Sequence, residues 1–506
     1  MANHSKIPTA KHGMPFESSE RLMHGFQRFA ANNAAGGILL ILATVAALIW
    51  ANSGGYDIYH YIFHDMYLDL KIGGDPAKPD SGWHVPHIHN LTYLINDFLM
   101  AIFFLFIGLE IKREIVQGEL RSPKKAALPI AAAIGGMAIP ALIYAAFNVA
   151  MPVKDEAGNV IQTMNGWGVP MATDIAFALG ILMLLGKRAP LSLKVFLTSL
   201  AIVDDLGALL VIAMFYTDKL NGTSLAWAGI VLAALFGLNM LRFRHPLFYI
   251  VPGVALWVLV LDSGVHATIA GVLLALTIPA RSRVNADRFI DSTRDAVDHF
   301  ENKGHDGKTP SESSAQRAAA YAIRENVQQV IPPLHRMEHA LHGWCAFFII
   351  PVFAFANAGL HLEGDVVAIA GDPVTLGVFF GLVVGKPLGV FGASYLACKL
   401  GLASLPTGVS WRHVLGAGCL AGIGFTMALF IANLAFKTDQ LHLDASKIGI
   451  LAASLVSTIL GIGVLMTCKP AETDQGVSAD DADPAILEQL NNPDRANAGM
   501  PIAKAG

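Results

Sequence analysis

The chain carries too little charge for a soluble protein. Asp, Glu, Lys and Arg make up 15% of its 506 residues, against about 25% in soluble domains. The charge that is present collects in short patches between long apolar runs, the pattern of a polytopic membrane protein. Basic residues are not in surplus either. Lys and Arg number 35 against 39 Asp and Glu, for a formal net charge of −4. A groove for nucleic-acid phosphates needs the opposite balance, so no nucleic-acid partner is expected. Cysteine is scarce. Cys345, Cys398, Cys419 and Cys468 form no CxxC pair and lie in or beside apolar runs, which reads as small buried hydrophobes. No cleavable signal peptide is expected, because the first twenty-odd residues are polar and the first apolar run is long enough to stay as a helix. No cofactor is expected.

What the chain does have is apolar length. It is 54% hydrophobic, with a mean hydropathy of +0.51. Runs of about 20 apolar residues can cross a bilayer as helices. They begin near 29–50, 92–109, 126–149, 168–185 and 191–216. They continue near 224–241, 246–261, 265–280 and 340–358, and close with 375–398, 411–435 and 446–467. The expected fold is an all-α polytopic membrane protein with about twelve transmembrane helices.

Lys and Arg divide unevenly between alternate connections. One set holds Lys112, Arg113, Arg121, Lys124, Lys125, Lys187, Arg188, Lys194, Arg242, Arg244, the cluster from Arg281 to Arg336, Lys399 and Arg412. The other holds only Lys71, Lys78, Lys154, Lys219, Lys437 and Lys447. The richer set is expected on the cytoplasmic side, and an even helix count puts both termini there. Residues 1–24 are then a polar cytoplasmic segment, 25–467 the membrane domain and 468–506 a disordered cytoplasmic tail. Within the membrane domain, 51–91 is a periplasmic insertion and 281–338 a charged cytoplasmic loop. The stretch Glu301–Ser314 has the composition of a disordered linker.

The informative residues are ionisable groups inside apolar runs. A charge at the bilayer centre costs about 2.5–3.5 kcal/mol on insertion scales, so it needs a partner, a water cavity or a function. Asp204 and Asp205 sit in the middle of LTSLAIVDDLGALLVIAMFY. Adjacent helical residues point about 100° apart, so both can line one cavity. Two carboxylates in a low dielectric resist double ionisation. Such a pair can hold protons or a small cation, and the two compete for the same oxygens. That competition is what an antiporter requires. A pair held by local hydrogen bonds at a helix end is the bland alternative, and the apolar flanks on both sides argue against it.

Asp174 lies in GVPMATDIAFALGILMLL beside Thr173, with Gly168 and Pro170 ahead of it. The glycine and proline suggest a broken helix whose half-helix dipoles face a cavity. A simple N-cap accounts for the aspartate as well. Lys386 sits in VFFGLVVGKPLGVFGASYLA, far from either end of its run. Its ammonium needs a counter-charge, and Asp204 or Asp205 is the natural one, although snorkelling to the interface is the alternative. Gly416, Gly418, Gly422 and Gly424 interrupt a second segment. They fit either close helix packing or an unwound crossing.

On the side read as cytoplasmic, Glu110, Arg113 and Glu114 end one helix, and Glu338, His339 and His342 begin another. His titrates near neutrality, so such a cluster could bias a transporter with pH. Ordinary interfacial charge pairing explains it too, and the residues alone favour that. Three rival functions fit less well. A sodium-coupled carrier of an organic solute needs more deep polar or aromatic groups than the Asp, Thr and Lys here. A channel favours repeated filter loops with rings of ligands, and none is evident. An intramembrane aspartyl protease needs two facing aspartates, and no GxGD segment occurs.

Seven stretches together carry a resemblance. They are LFIGLEIKREIVQGEL (105–120), ATDIAFALGIL (172–182), LAIVDDLGALL (200–210), GVHATIAG (264–271), IIPVFAFANAGL (349–360), GKPLGV (385–390) and AGIGFTMALFIANLAF (421–436). In this order, from roughly residue 25 to 467, the chain resembles the NhaA-type bacterial sodium/proton antiporters. The resemblance implies a twelve-helix fold of two inverted repeats, with two broken helices crossing near the midplane. These map to the segments around Asp174 and around Gly422–Thr426. It implies that Asp204 and Asp205 carry Na+ and H+, that Lys386 pairs with Asp204, and that Asp174 with Thr173 completes the site. It implies a pH-response cluster of Glu110, Arg113, Glu114, Glu338, His339 and His342, with His266 as a further position linked to pH.

The activity implied is electrogenic exchange of two protons inward for one Na+ or Li+ outward across the bacterial inner membrane, serving pH and sodium homeostasis. That makes the chain a secondary transporter rather than an enzyme. The partners implied are the lipid bilayer and a second copy of the chain, since the family joins two protomers through a β-hairpin. The chain departs from the pattern in three places. The 51–91 connection, where that hairpin lies, is longer than in the compact members. The 281–338 loop is expanded beside the pH cluster, and the C-terminal tail is extended.

Overall fold

The structure is a computed structural model that describes residues 18–66, 71–72, 83–84, 90–153, 161, 163–217, 220–241, 243–281, 286–302, 313–361 and 369–469. Most of the polar segment expected at 1–24, nearly all of the Glu301–Ser314 linker and the tail from 470 onward lie outside the described residues.

The described chain is almost entirely helical. In chain order the elements are α1 (Ser18–Ala51), α2 (Leu91–Val116), α3 (Pro123–Ala150), a 3₁₀ stretch Thr163–Met171 followed by α4 (Ile175–Leu184), and α5 (Leu191–Phe215). Then come α6 (Gly222–Met240), α7 (Leu247–Asp262), α8 (Thr268–Thr277), α9 (Ala286–Asn302), α10 (Ser314–Val330) and α11 (Pro333–Asn357). The chain closes with α12 (Pro373–Lys399), α13 (Trp411–Ala421), α14 (Phe425–Ala435) and α15 (Gln440–Met466). Local chemistry explains where many of them start. Asn90, Asn221, Asp372 and Asp439 accept hydrogen bonds from the first-turn amides of α2, α6, α12 and α15. Pro123, Pro333 and Pro373 stand in first turns, where no N–H is needed.

Among the described residues, eight helices are long and apolar enough to cross a membrane, or nine if α13 and α14 form one bent span. Ala35–Ala51, Leu247–Asp262 and Thr268–Thr277 are shorter apolar helices. Large apolar side chains such as Leu42, Leu142, Met214 and Ile459 are exposed on the outside of the bundle, a surface suited to lipid. The chain is a multi-pass membrane protein.

Two features position the centre of the bundle. The first is the contact of α3 with α12. A Cβ on Gly389 would lie 2.1 Å from the Gly135 carbonyl oxygen, so only glycine lets the two backbones meet. Lys386, one turn before Gly389, is thereby carried into the interior. The second is a π-helical turn, Gly381–Gly385, that ends directly before Lys386. The extra residue in that turn rotates everything after it.

Two parts of the fold lie in the insertions. Lys71–Ile72 pairs antiparallel with Trp83–His84, so the 51–91 connection contains a short β-ladder. The loop expected at 281–338 contains α9 and α10, two helices that the sequence reading did not assign. They pack together, with Ala296 and Ala319 buried and Gln316 Nε2 donating to Phe300 O at 3.3 Å. Their polar composition hid a helical period in which one narrow apolar stripe suffices.

Candidate functional site

The site forms where two helices fail to continue. Ahead of α4 the backbone is extended at Asp174 (φ −83°, ψ 99°), and Asp174 Oδ1 caps the new helix by accepting from Phe177 N at 3.0 Å. The aspartate is the N-cap of α4, at the point where the 3₁₀ stretch gives way to α-helix. Opposite it, the chain unwinds between α13 and α14, which are bent by 45°. A Cβ on Gly422 would lie 2.5 Å from Leu382 O, so glycine is what lets this segment cross so closely.

The two breaks are bonded to each other. Asp174 N donates to Ile423 O at 2.7 Å, and Thr173 Oγ1 donates to Ala421 O at 2.8 Å. Thr426 gives its hydroxyl to Asp174 Oδ2 at 2.6 Å and its backbone N–H to the same oxygen at 3.2 Å. The carboxylate thus sits at the N-terminal ends of both α4 and α14, where helix dipoles favour negative charge.

Asp204 and Asp205 face this crossing from the middle of α5. Asp204 Oδ2 accepts from Lys386 Nζ at 2.6 Å, and both side chains are fully buried. Thr173 stands beside Asp204 but turns its hydroxyl to Ala421 O. Asp204 Oδ1 and both oxygens of Asp205 are buried and, among the described residues, have no hydrogen-bond partner. An ionised carboxylate in such a place costs several kcal/mol, so these oxygens call for a proton or a cation. Asp205 also lies within electrostatic reach of Asp204, Asp174 and Glu110.

Glu110 links the site to a second cluster at one end of the bundle. Arg113 on α2 pairs with Glu338 on α11, with Glu114 at 3.4 Å and with Glu110 at 3.6 Å. His335 reaches Glu338 at 3.7 Å and Gln117 Oε1 at 2.8 Å. His342 lies edge-on to Phe106, and His339 is exposed on the same helix.

His266 is not part of this cluster. It lies at the opposite end of α2, where Nε2 is 3.8 Å from Asp97 and Nδ1 is 2.8 Å from Thr268 Oγ1. A cavity of about 570 Å³ opens there, lined by Asn96, Asp97, His266, Phe430, Asn433 and Lys437 among others. Neither Asp204 nor Asp205 lines it. Phe430 closes its inner side, packed against Phe104, Phe353 and His266 at 5.6, 6.2 and 5.2 Å between rings. The paired aspartates are shut off from solvent in this conformation.

The family model described as Na+/H+ antiporter 1 matches residues 27–465. The chain belongs to that family. The Na(+)/H(+) antiporter NhaA of Oleidesulfovibrio alaskensis is similar to it, 49% identical over 456 residues that cover 90% of this chain and 95% of the relative. The NhaA protein of Koribacter versatilis is 46% identical over 448 residues, 88% of this chain and 92% of the relative. NhaA 2 of Sorangium cellulosum is 44% identical over 464 residues, 90% and 93%.

In this Na+/H+ antiporter 1 member the structure brings Asp174, Thr173, Asp204, Asp205 and Lys386 together. It also brings Glu110, Arg113, Glu114 and Glu338 together, and it places His266 with Asp97 instead. Sequence reasoning did not single out Thr426 as a bonding partner of Asp174, nor His335, Gln117 and Asp97. The DI and GF junctions at the two breaks mark where such bonds form, but the partner is set by the crossing.

Proposed function

We propose that this chain is an electrogenic sodium/proton antiporter of the bacterial inner membrane, a secondary transporter rather than an enzyme. It exports one Na+ or Li+ for about two H+ and serves pH and sodium homeostasis. The observation that carries this reading is the pair Asp204 and Asp205, buried in the bundle with three carboxylate oxygens that have no hydrogen-bond partner among the described residues. The names of the relatives, all sodium/proton antiporters, support it.

The mechanism follows from competition for those oxygens. From the cytoplasm, Na+ displaces protons at Asp204 and Asp205, with Asp174 and Thr173 completing the site and Lys386 as the counter-charge of Asp204. The loaded site then turns outward, where protons displace Na+, and the protonated site returns. One net charge moving inward per cycle draws about 2.3 kcal/mol from each 100 mV of potential.

The architecture proposed with it has twelve spans in two inverted repeats, both termini in the cytoplasm, a periplasmic 51–91 insertion, a cytoplasmic 281–338 loop and a cytoplasmic tail from 468. The cluster around Arg113 lies in the cytoplasm-facing end, and with His339, His342 and, from the other side, His266 it adjusts activity with pH. The short β-ladder at 71–84 is the proposed contact between two copies. The deciding experiment is proton flux in everted vesicles across a pH range. Proton release from the lumen on adding Na+ or Li+, and none with K+, is expected. No response to Na+ at any pH would overturn the reading.

A further inference from the structure

Three asparagines from three separate helices meet beside the cavity at the Asp97 end of the bundle. Asn357, at the end of α11, is buried and uses its whole amide. Its Nδ2 donates to Phe353 O at 2.9 Å and to Asn96 Oδ1 on α2 at 2.8 Å. Its Oδ1 accepts from Asn96 Nδ2 and from Asn433 Nδ2 on α14, both at 3.1 Å. Two donors and two lone pairs are all satisfied. Asn433 Nδ2 also donates to Leu429 O at 2.8 Å within its own helix. Their common effect is to tie α14 to α11 and α11 to α2, with Asn357 as the shared partner.

The place of Asn433 on α14 gives that tie a consequence. Thr426, Phe430 and Asn433 stand four and three residues apart, hence on one face of the helix. Thr426 bonds Asp174 in the ion site, Phe430 closes the inner side of the cavity, and Asn433 lines the cavity itself. Phe430 packs on Phe104 of α2 and Phe353 of α11, the same two helices that supply Asn96 and Asn357. The half-helix therefore touches its neighbours twice on this face, once through rings and once through amides. It cannot swing away to open the cavity toward the aspartates unless the Asn433–Asn357 bond breaks.

We propose that the Asn96–Asn357–Asn433 triangle is the latch of the outer gate, and that Asn433 is a positioning residue whose release lets the half-helix α14 move outward. The inference rests on the alternating-access reading above. Neutral amides suit the task, because they hold equally well whatever the protonation of the ion site. A single neutral hydrogen bond is worth about 1 kcal/mol net, a bias of about five-fold between closed and open states. That is enough to favour closure and little enough to be broken in every cycle.

The test is hydrogen–deuterium exchange of the full-length protein in lipid nanodiscs, read by peptide. Where reclosing is faster than exchange from the open state, the exchange rate follows the population of the open state. In the Asn433→Leu variant, amides of Phe425–Ala435 should exchange about five-fold faster, while those of Pro123–Ala150 stay at the wild-type rate. The Asn433→Ser variant, smaller and still polar, should change in the same direction. The effect of the double variant Asn433→Leu/Asn357→Leu should fall short of the sum of the effects of Asn433→Leu and Asn357→Leu measured singly, since both lose the same bond. Unchanged exchange in Phe425–Ala435 would overturn the proposal. So would a rise spread equally over Pro123–Ala150, or strictly additive effects. The measurement needs no transport, so a wild-type chain that moved no ions would refute the antiport reading separately.

Discussion

Thr426 and Asp174 are joined twice: the threonine hydroxyl and its backbone N–H both end on Asp174 Oδ2, at 2.6 and 3.2 Å. Through this one side chain each break in the bundle holds the other in place. Asp174 is thereby fully engaged, whereas Asp205 has no hydrogen-bond partner among the described residues. The two aspartates divide the labour, one shaping the crossing and the other left available.

The Thr426→Val change keeps the shape of the side chain and removes the hydroxyl. Loss of a hydrogen bond to a charged group costs about 1.5–3 kcal/mol. The thermal midpoint should fall, and the apparent affinity for Na+ in vesicles should weaken. Unchanged values of both would show that the crossing is held by backbone contacts alone.

Replacing Asp205 by Asn should abolish sodium-driven proton flux in everted vesicles and leave the protein folded. Among the described residues, the Asp205 carboxylate makes no hydrogen bond that the fold would lose. Size-exclusion behaviour and thermal midpoint check the second half of the expectation. Full exchange activity in this variant would remove Asp205 from the ion path.

Lys386→Ala tests the buried ion pair. Removing one partner strands Asp204 without its cation, at a cost of about 3–5 kcal/mol. The variant should melt earlier than wild type, and its apparent Na+ affinity and pH optimum should both move. In the Asp204→Asn/Lys386→Ala double variant the melting temperature should recover in part, because no charge is then stranded. A double variant as unstable as the sum of the singles would argue that Lys386 acts through packing.

Glu338→Gln addresses the cluster at the end of α2. Arg113 is shared among Glu110, Glu114 and Glu338. With one carboxylate fewer, the remaining acids are less crowded and more fully served by Arg113. The pH profile of exchange should move to lower pH by about one unit, the shift that corresponds to 1.36 kcal/mol, with little change in maximal rate. A fall in maximal rate at constant profile would make the cluster a structural brace.

Much of this protein is legible along the chain, because membrane insertion acts on local composition. Length and hydropathy of each run decide whether a helix can lie in lipid, so most apolar helices emerge from the sequence, as do Asp204, Asp205 and Lys386 as charges that need an explanation, whereas the polar start of α1 at Ser18 and the helices α9 and α10 do not. The glycines and proline around Asp174 and Gly422 likewise mark where helices break, since helix failure is a local event. Which groups then meet is another matter. The bond from Lys386 to Asp204 spans 182 residues and that from Thr426 to Asp174 spans 252. No periodicity encodes such pairings. They depend on how closely Gly389 lets α12 approach α3 and on the angle at which the two broken segments cross. For the same reason neither the pairing of His266 with Asp97 nor the meeting of Asn96 and Asn433 on Asn357 could be read until the helices were packed.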